Sequence, residues 1–353
     1  MTVHASELRK YNYFSRLSND WLETISRSMT VEPIAPGATL FRENDEADSF
    51  YFIKQGRVEV TKSTKFGQIA KLSVIGSGQG IGEMALLTGA TRCCTISAMT
   101  ASTLYRLPKT DFDDLVHHET AFKNTLLKRA SESAYYNKIK TLQPFILLEP
   151  DKMYALMARM TERTYGLGED IIVQGDKGDY YYIIKSGSVA VLQKKKGETA
   201  FKQVALLEEG DGFGEEALIR NDPRNATCRA TVDTTVYVLD KVDFDHTLKS
   251  SYLDNIFAED ISVQNYRDNY VIIDARVVPE YEHEHIEGAL SLPVEALRKK
   301  YTELDPKKSY ITYCTNDARG MVAAFLLKNH GFDAKCLRGG ISSWEGPTAS
   351  GRG

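Results

Sequence analysis

Short runs in which apolar and polar residues alternate dominate the first two thirds of the chain, among them SFYFIKQGRVEVTK at 49–62 and YYYIIKSGSVAVLQ at 180–193. Period-two runs broken by Gly, Asn and Asp turn residues predict antiparallel strands closing into a β-roll, jelly roll or barrel. Helical patterns flank them: DWLETISRSM, the long stretch from TDFDDLVHH to Pro144, PDKMYALMARM, and KVDFDHTLKSSYLDNI. From about residue 259 the pattern changes. NYVIIDAR and SYITYC are continuous apolar strands, EALRKKYTEL and GMVAAFLLKNHGF are helical, and AKCLRGG reads as a third strand. Strand and helix in alternation predict a buried parallel sheet with helical crossovers. The expected architecture is multidomain, α+β followed by a small α/β domain. Its expected divisions are a first barrel domain over 1–120, a linking helix over 121–145, a second barrel domain over 146–250, a linker over 251–258 and the α/β domain over 259–353.

The two barrels are copies. PGATLFRENDEADSFYFIKQGRVEV aligns without a gap onto LGEDIIVQGDKGDYYYIIKSGSVAV, so that Gly37, Asp48, Lys54 and Gly56 fall on Gly168, Asp179, Lys185 and Gly187, 131 positions on. GIGEMALLTGATRCCT then aligns onto GFGEEALIRNDPRNAT with Gly82 and Gly214 132 apart, a slip that one extra loop residue explains. The period is far longer than a solenoid repeat, which makes this a duplicated domain.

In each copy of that second segment an arginine follows a glutamate by nine positions, Glu83 to Arg92 and Glu215 to Arg224. Glycine lets backbone approach a ligand, N–H groups opening a helical turn favour negative charge, and arginine offers a planar pair of donors suited to phosphate. The glutamate suits a hydroxyl on the same ligand, so a sugar phosphate meets both demands. A pair of structural salt bridges is the other reading of the same residues.

Both copies resemble the phosphate-binding cassette of cyclic-nucleotide-binding domains, in a tandem arrangement similar to the regulatory subunits of cyclic-AMP-dependent protein kinase. The resemblance covers about residues 14–250. It implies that Glu83 and Glu215 hold the ribose hydroxyl and Arg92 and Arg224 the cyclic phosphate, with backbone groups of Gly82, Ala85 and Cys93, and of Gly214, Ala217 and Asn225, completing each cradle. Cyclic-GMP-selective members commonly carry a hydroxyl residue after the arginine. Here Cys93 and Asn225 stand in that place, which favours cyclic AMP and leaves cyclic GMP as the second candidate. Thr91 replaces the usual proline of the first copy, and Glu216 adds an acid to the second. An aromatic lid over the base is expected. Tyr135, Tyr136 and Tyr252 are candidates, with helix packing as their alternative role. KRAS at 128–131 looks like a kinase-recognition motif but falls in a helix, where a solvated charge pair is the simpler account.

In the last domain YCTNDARG places Cys314 on the turn between a strand and a helix, with Arg319 five positions on. Ligands of such folds gather at the carboxyl ends of strands. Loop N–H groups and Arg319 could hold a thiolate there, whereas Cys93, Cys94, Cys228 and Cys336 read as small buried hydrophobes. The segment resembles a rhodanese domain through IIDAR (Asp274, Arg276), EYEHEHIEGALSLP (Glu280, Tyr281, His285, Gly288, Pro293), YCTNDAR and LRGGISSW ending at Trp344. The resemblance implies a Cys314 persulfide and sulfur transfer, with Cys314 and Arg319 as catalytic residues and His285 structural. Four residues separate Cys314 from Arg319, one fewer than in the related phosphatases, which suits a single sulfur. Thr315 and Asp317 depart from the common pattern, and an acid aimed at the sulfur would oppose a thiolate.

Composition narrows the partners. With 42% hydrophobic and 26% charged residues and a net charge of −4, no basic field calls for nucleic acid or an anionic membrane. No helix-turn-helix signal follows the barrels. No run approaches the roughly 18 apolar residues of a membrane span, MTVHASELRK lacks a signal-peptide core, and the five cysteines show no metal-like spacing. The expectation is a cytoplasmic, metal-free, cyclic-nucleotide-regulated sulfurtransferase whose partners are the nucleotide, a sulfur donor and a thiol acceptor, of unfixed oligomeric state. The alternative is a nucleotide-sensing adaptor whose rhodanese-like domain binds a partner.

Overall fold

A computed structural model describes residues 3–64, 67–194 and 200–351. The chain divides into two compact units, Met1–Thr141 and Leu142–Gly353.

The first unit holds two four-stranded antiparallel sheets. One runs in the order Thr30–Ile34, Ser102–Pro108, Ser49–Gln55, Gly80–Ile81, and the other Thr39–Phe41, Thr95–Ala98, Arg57–Ser63, Ile69–Gly76. Alternation sends Phe50 and Phe52 of the central strand to the face that helices cover, where they meet Phe14, Phe112 and Phe122 in one aromatic core. Burying each such ring is worth roughly 1.5–3 kcal/mol, so this cluster ties the helices to the sheet. Ser18 caps the helix Asn19–Ser28 through the Trp21 N–H. The stretch expected as one long helix breaks at Glu119 into Lys109–His118 and Thr120–Lys140.

The second unit repeats the barrel, with sheets ordered Gly212–Phe213, Tyr180–Ser186, Thr234–Asp240, Thr161–Tyr165 and Asp170–Ile172, Thr227–Ala230, Val189–Gln193, Lys202–Leu207. Behind it lies a parallel sheet in the order Asn255–Ile256, Asp333–Leu337, Ser309–Tyr313, Val271–Asp274, Leu290–Ser291. The mixed architecture is thus the expected one. One local expectation fails: helix stops at Tyr252 after a widened turn over Phe244–Lys249, and Asn255–Ile256 forms an edge strand. The cause is ladder bonding, since the Asp254 and Ile256 carbonyls accept from the Cys336 and Arg338 N–H groups at 2.9 and 3.0 Å.

A buried ion pair fixes the end of the strand Val271–Asp274. Asp274 and Arg276 meet through two nitrogens, and the Tyr313 hydroxyl donates to the same carboxylate at 2.7 Å. The helix Ala318–Asn329 is buried along most of its length. Its Phe325 sits among Tyr181, Phe244 and Tyr252 of the second barrel and its following helix, with ring centroids 5.0–6.5 Å apart.

Candidate nucleotide cradles and thiol site

Both cassettes are built by the same latch. In the first, a strand ends at Ile81, Gly82 turns with φ of +87°, and the short helix Glu83–Thr88 begins. Arg92 folds back under that turn, donating from Nη1 to the Gly82 carbonyl at 2.9 Å and from Nη2 to the Ser49 carbonyl at 2.7 Å. In the second, Gly214 turns with φ of +90° ahead of Glu215–Arg220, and Arg224 donates to the Gly214 and Tyr180 carbonyls at 2.7 and 2.6 Å. The arginine N–H bonds to Asp45 O in one copy and Asp176 O in the other, at 2.8 Å in both. Glycine is required on two counts. Its φ is left-handed, and a Cβ would lie 2.5 Å from the Arg92 guanidinium at Gly82 and 2.9 Å from the Arg224 guanidinium at Gly214.

Both guanidinium groups are almost wholly buried, and that of Arg92 lies 4.2 Å above the Phe41 ring. Its Nε, like the Ser49 hydroxyl, is buried with no hydrogen-bond partner. A buried donor left without an acceptor is costly. The glutamates differ. Burial raises the Glu83 carboxyl above its ordinary range, against the opposing pull of its own backbone N–H, Arg129 and Arg92. Glu215 is paired instead with Arg298, and Glu216 binds Arg220 at 3.0 Å with Arg298 3.8 Å away.

The space above each cassette differs as well. The first cavity, about 80 Å³, is walled by Arg129, Ser133 and Asn137 of the helix Thr120–Lys140. The second, about 390 Å³, is bounded by Gly214, Glu215, Arg224 and Asn225 on the barrel side. Its far wall comes from the α/β domain, with Arg298, Tyr301, Asn329 and His330. None of the three tyrosines considered as lids lines either cavity. Tyr136 and Tyr252 are buried, the latter against Phe325, and Tyr135 is exposed. Sequence patterning passed over Arg298, Tyr301 and His330, because a contact across 83 positions leaves no periodic trace. In the KRAS stretch, Arg129 lies 5.1 Å from the Tyr13 ring and reaches Gln79 at 3.4 Å.

Cys228 and Cys336 are buried, as expected of small hydrophobes, but the other cysteines depart from expectation. Cys93 and Cys94 are only half-buried, their sulfurs 3.9 Å apart, and the contact with Cys94 lowers the Cys93 thiol while raising its neighbour. Cys314 is 0% exposed. It follows the strand Ser309–Tyr313, and its Sγ donates to the Asn316 carbonyl at 3.3 Å, the contact of a thiol rather than of a sulfur ringed by N–H groups. Gly340 presses on the loop so closely that a Cβ would sit 2.1 Å from the Cys314 oxygen.

Arg319, at the helix start, forks onto Glu280 at 2.6 and 2.7 Å, and Thr315 donates to the same carboxylate at 3.2 Å. The Arg319 contact is the main reason that Glu280 falls to about 2. Asp317 does not face the sulfur: it accepts from the Gly339 N–H at 2.6 Å and pairs with Arg338 at 3.1 Å. Two donors thus partner its carboxylate. His285 is buried, with Nδ1 2.8 Å from the Tyr281 carbonyl and its ring stacked on Tyr281 at 3.8 Å, an arrangement that positions a loop.

Among the described residues, no group of three or more His, Cys, Asp or Glu is placed to hold a metal ion, and no helix is long and apolar enough to cross a membrane. Comparison with known proteins matches residues 31–119 and 162–251 to the cyclic nucleotide-binding domain and residues 258–347 to the rhodanese-like domain. Among solved structures, the chain is similar to the regulatory domain of Toxoplasma gondii protein kinase A, a co-crystal with cAMP. That match has 26% identity and a TM-score of 0.33, covering 70% of this chain and 92% of that one. It is also similar to the regulatory subunit of a cAMP-independent protein kinase A from Trypanosoma cruzi bound to guanosine, at 20% identity and a TM-score of 0.32, covering 70% and 83%. A third is the sensor domain of the transcriptional regulator DNR from Pseudomonas aeruginosa, at 24% identity and a TM-score of 0.34, covering 37% and 87%.

Proposed function

Since the chain belongs to the cyclic nucleotide-binding domain family and carries a rhodanese-like domain after its second copy, we propose that it senses cyclic AMP and thereby governs sulfur transfer at Cys314. The observation that supports the sensor half is the repeated latch. Two arginines, each bonded beneath a left-handed glycine and beside a glutamate, occupy the same place in two barrels. Arg92 and Arg224 would take the cyclic phosphate, and Glu83 and Glu215 the ribose 2′-hydroxyl. Cys93 and Asn225, in place of a hydroxyl residue, favour adenine. Calorimetric titration with cyclic AMP and cyclic GMP, on wild type, Arg92→Ala and Arg224→Ala, tests this. Cyclic AMP should bind the tighter of the two, and each substitution should remove one site. Failure of both sites to bind either nucleotide at millimolar supply refutes the reading.

For the thiol, the proposed step is attack of the Cys314 thiolate on the outer sulfur of thiosulfate or another sulfane donor. The S–S bond to Cys314 forms as the bond to sulfite breaks, and sulfite leaves with the electron pair. A thiolate acceptor then takes the terminal sulfur as its own persulfide and releases the Cys314 thiolate. With the thiol covered and donating to Asn316, the loop 315–318 must turn before attack, and that turn is the step a nucleotide would bias. The burial of Cys314 equally favours the second reading, an adaptor whose rhodanese-like domain binds a partner. Intact-mass measurement after thiosulfate treatment separates them. A gain of one sulfur on wild type and none on Cys314→Ser supports transfer, whereas no gain on wild type, with or without cyclic AMP, leaves the adaptor.

A further inference from the structure

The first cavity is closed by a helix of its own unit, whereas the second is walled by a different domain. Arg298, on the crossover helix Val294–Lys300, pairs with Glu215, the cassette glutamate itself. Tyr301 and His330 stack at 3.8 Å between centroids, with planes 10° apart, and both line the cavity, as does Asn329, whose buried Oδ1 has no hydrogen-bond partner.

We propose that the rhodanese-like domain forms the outer half of the second nucleotide site, so that a purine nucleotide bound on Arg224 touches both domains. This rests on the nucleotide reading above. Four observations carry it. The cavity of about 390 Å³ falls within the range of roughly 300–1,000 Å³ that encloses small ligands, and residues between 295 and 330 of the α/β domain supply part of its lining. A carboxylate has room for more than one donor, so Arg298 can orient Glu215 while a ribose hydroxyl takes another lone pair. Arg298 also offsets two acids, Glu215 and Glu216, that would otherwise repel an anionic ligand. The stacked Tyr301 and His330 place aromatic surface where a purine needs cover from water, in the role that Tyr252 cannot fill.

The far wall is also tied to the thiol. The helix Ala318–Asn329 begins beside the Cys314 loop and ends at the cavity, and its 12 residues span about 18 Å. Phe325, midway, packs against aromatic rings of the second barrel and its following helix.

The test uses the full chain carrying Arg92→Ala, so that titration with cyclic AMP reads the second site alone. Arg298→Ala should weaken binding roughly tenfold, as expected for loss of a charge-assisted contact, and Arg298→Lys should restore part of it. Tyr301→Ala should weaken it by a smaller factor. Hydrogen exchange on the Arg92→Ala chain, which leaves the wall intact, should slow over 294–303 and 326–330 when cyclic AMP is added. Affinity that is unchanged or tighter in Arg298→Ala, or nucleotide protection confined to the barrel, overturns the proposal. If binding then still depends on Arg224, the nucleotide reading stands and only the two-domain site falls. No binding at all overturns both.

Discussion

The two cradles share their floor and differ in their ceiling. Beneath, Gly82 with Arg92 and Gly214 with Arg224 reproduce one another in torsion angle, bonding and burial. Above, the first is covered by its own long helix and leaves about 80 Å³, while the second opens to about 390 Å³ against another domain. The glutamate feels the difference. Glu83 is only partly buried and has no ion-pair partner among the described residues, whereas Glu215 is buried and has Arg298. The glycine–arginine latch thus recurs in both copies, while the neighbours above it set the space over each cassette and what its acid experiences.

The shared floor is tested most severely at the glycines. Gly82→Ala and Gly214→Ala each force a left-handed residue, at about 1–2 kcal/mol, and push a Cβ into the arginine. Each should lower affinity at its own site by at least tenfold, more at Gly82, where the approach is 2.5 Å rather than 2.9 Å. Titrating each in a chain whose other arginine is alanine measures the two separately. Equal affinity to the parent in either would break the claim that the floors are equivalent.

Acidity tests the ceiling. Because burial raises Glu83, its folded carboxyl keeps a proton above the ordinary value of 4.5. Accepting a ribose hydroxyl favours the ionised form, so binding releases that proton. First-site affinity should therefore climb by a few-fold as pH rises from about 4.5 through the raised value, and then level. Without ligand the sign is opposite for stability: the unfolded carboxyl ionises first, so the unit loses stability over the same rise. Titration of the Arg224→Ala chain across that window reads the first effect, and a thermal melt the second. A flat affinity profile would place the Glu83 carboxyl outside the site.

The smallest expected effect concerns Cys93, half-buried on the first cavity with a thiol lowered by its neighbour Cys94. Cyclic AMP should slow its alkylation about two- to threefold through cover alone. Peptide mapping after a short iodoacetamide pulse reads that rate, and an unaltered rate would argue that nothing sits over residue 93.

Much of this was legible beforehand. Spacing alone matched Gly82–Glu83–Arg92 to Gly214–Glu215–Arg224, because a backbone turn and a returning arginine are both local. The parallel sheet was legible for the same reason, through continuous apolar runs such as VIID and SYITY. What escaped lies between distant segments. Asn255–Ile256 reads as helix until Asp333–Leu337 offers it a ladder, and nothing in the linear pattern ties Arg298 to Glu215, its partner 83 positions away. Asp317, alarming in a linear motif, finds its partners in Arg338 and the Gly339 N–H. Cys314 illustrates the converse, since its motif says nothing of the packing that leaves the residue wholly buried.

The helix Ala318–Asn329 carries one more consequence. Thermodynamic linkage runs in both directions. If a nucleotide at the Asn329 end shifts the Cys314 loop, then a sulfur atom loaded onto Cys314 must shift nucleotide affinity by the same factor. The protein would then report its own cargo through the second messenger it holds.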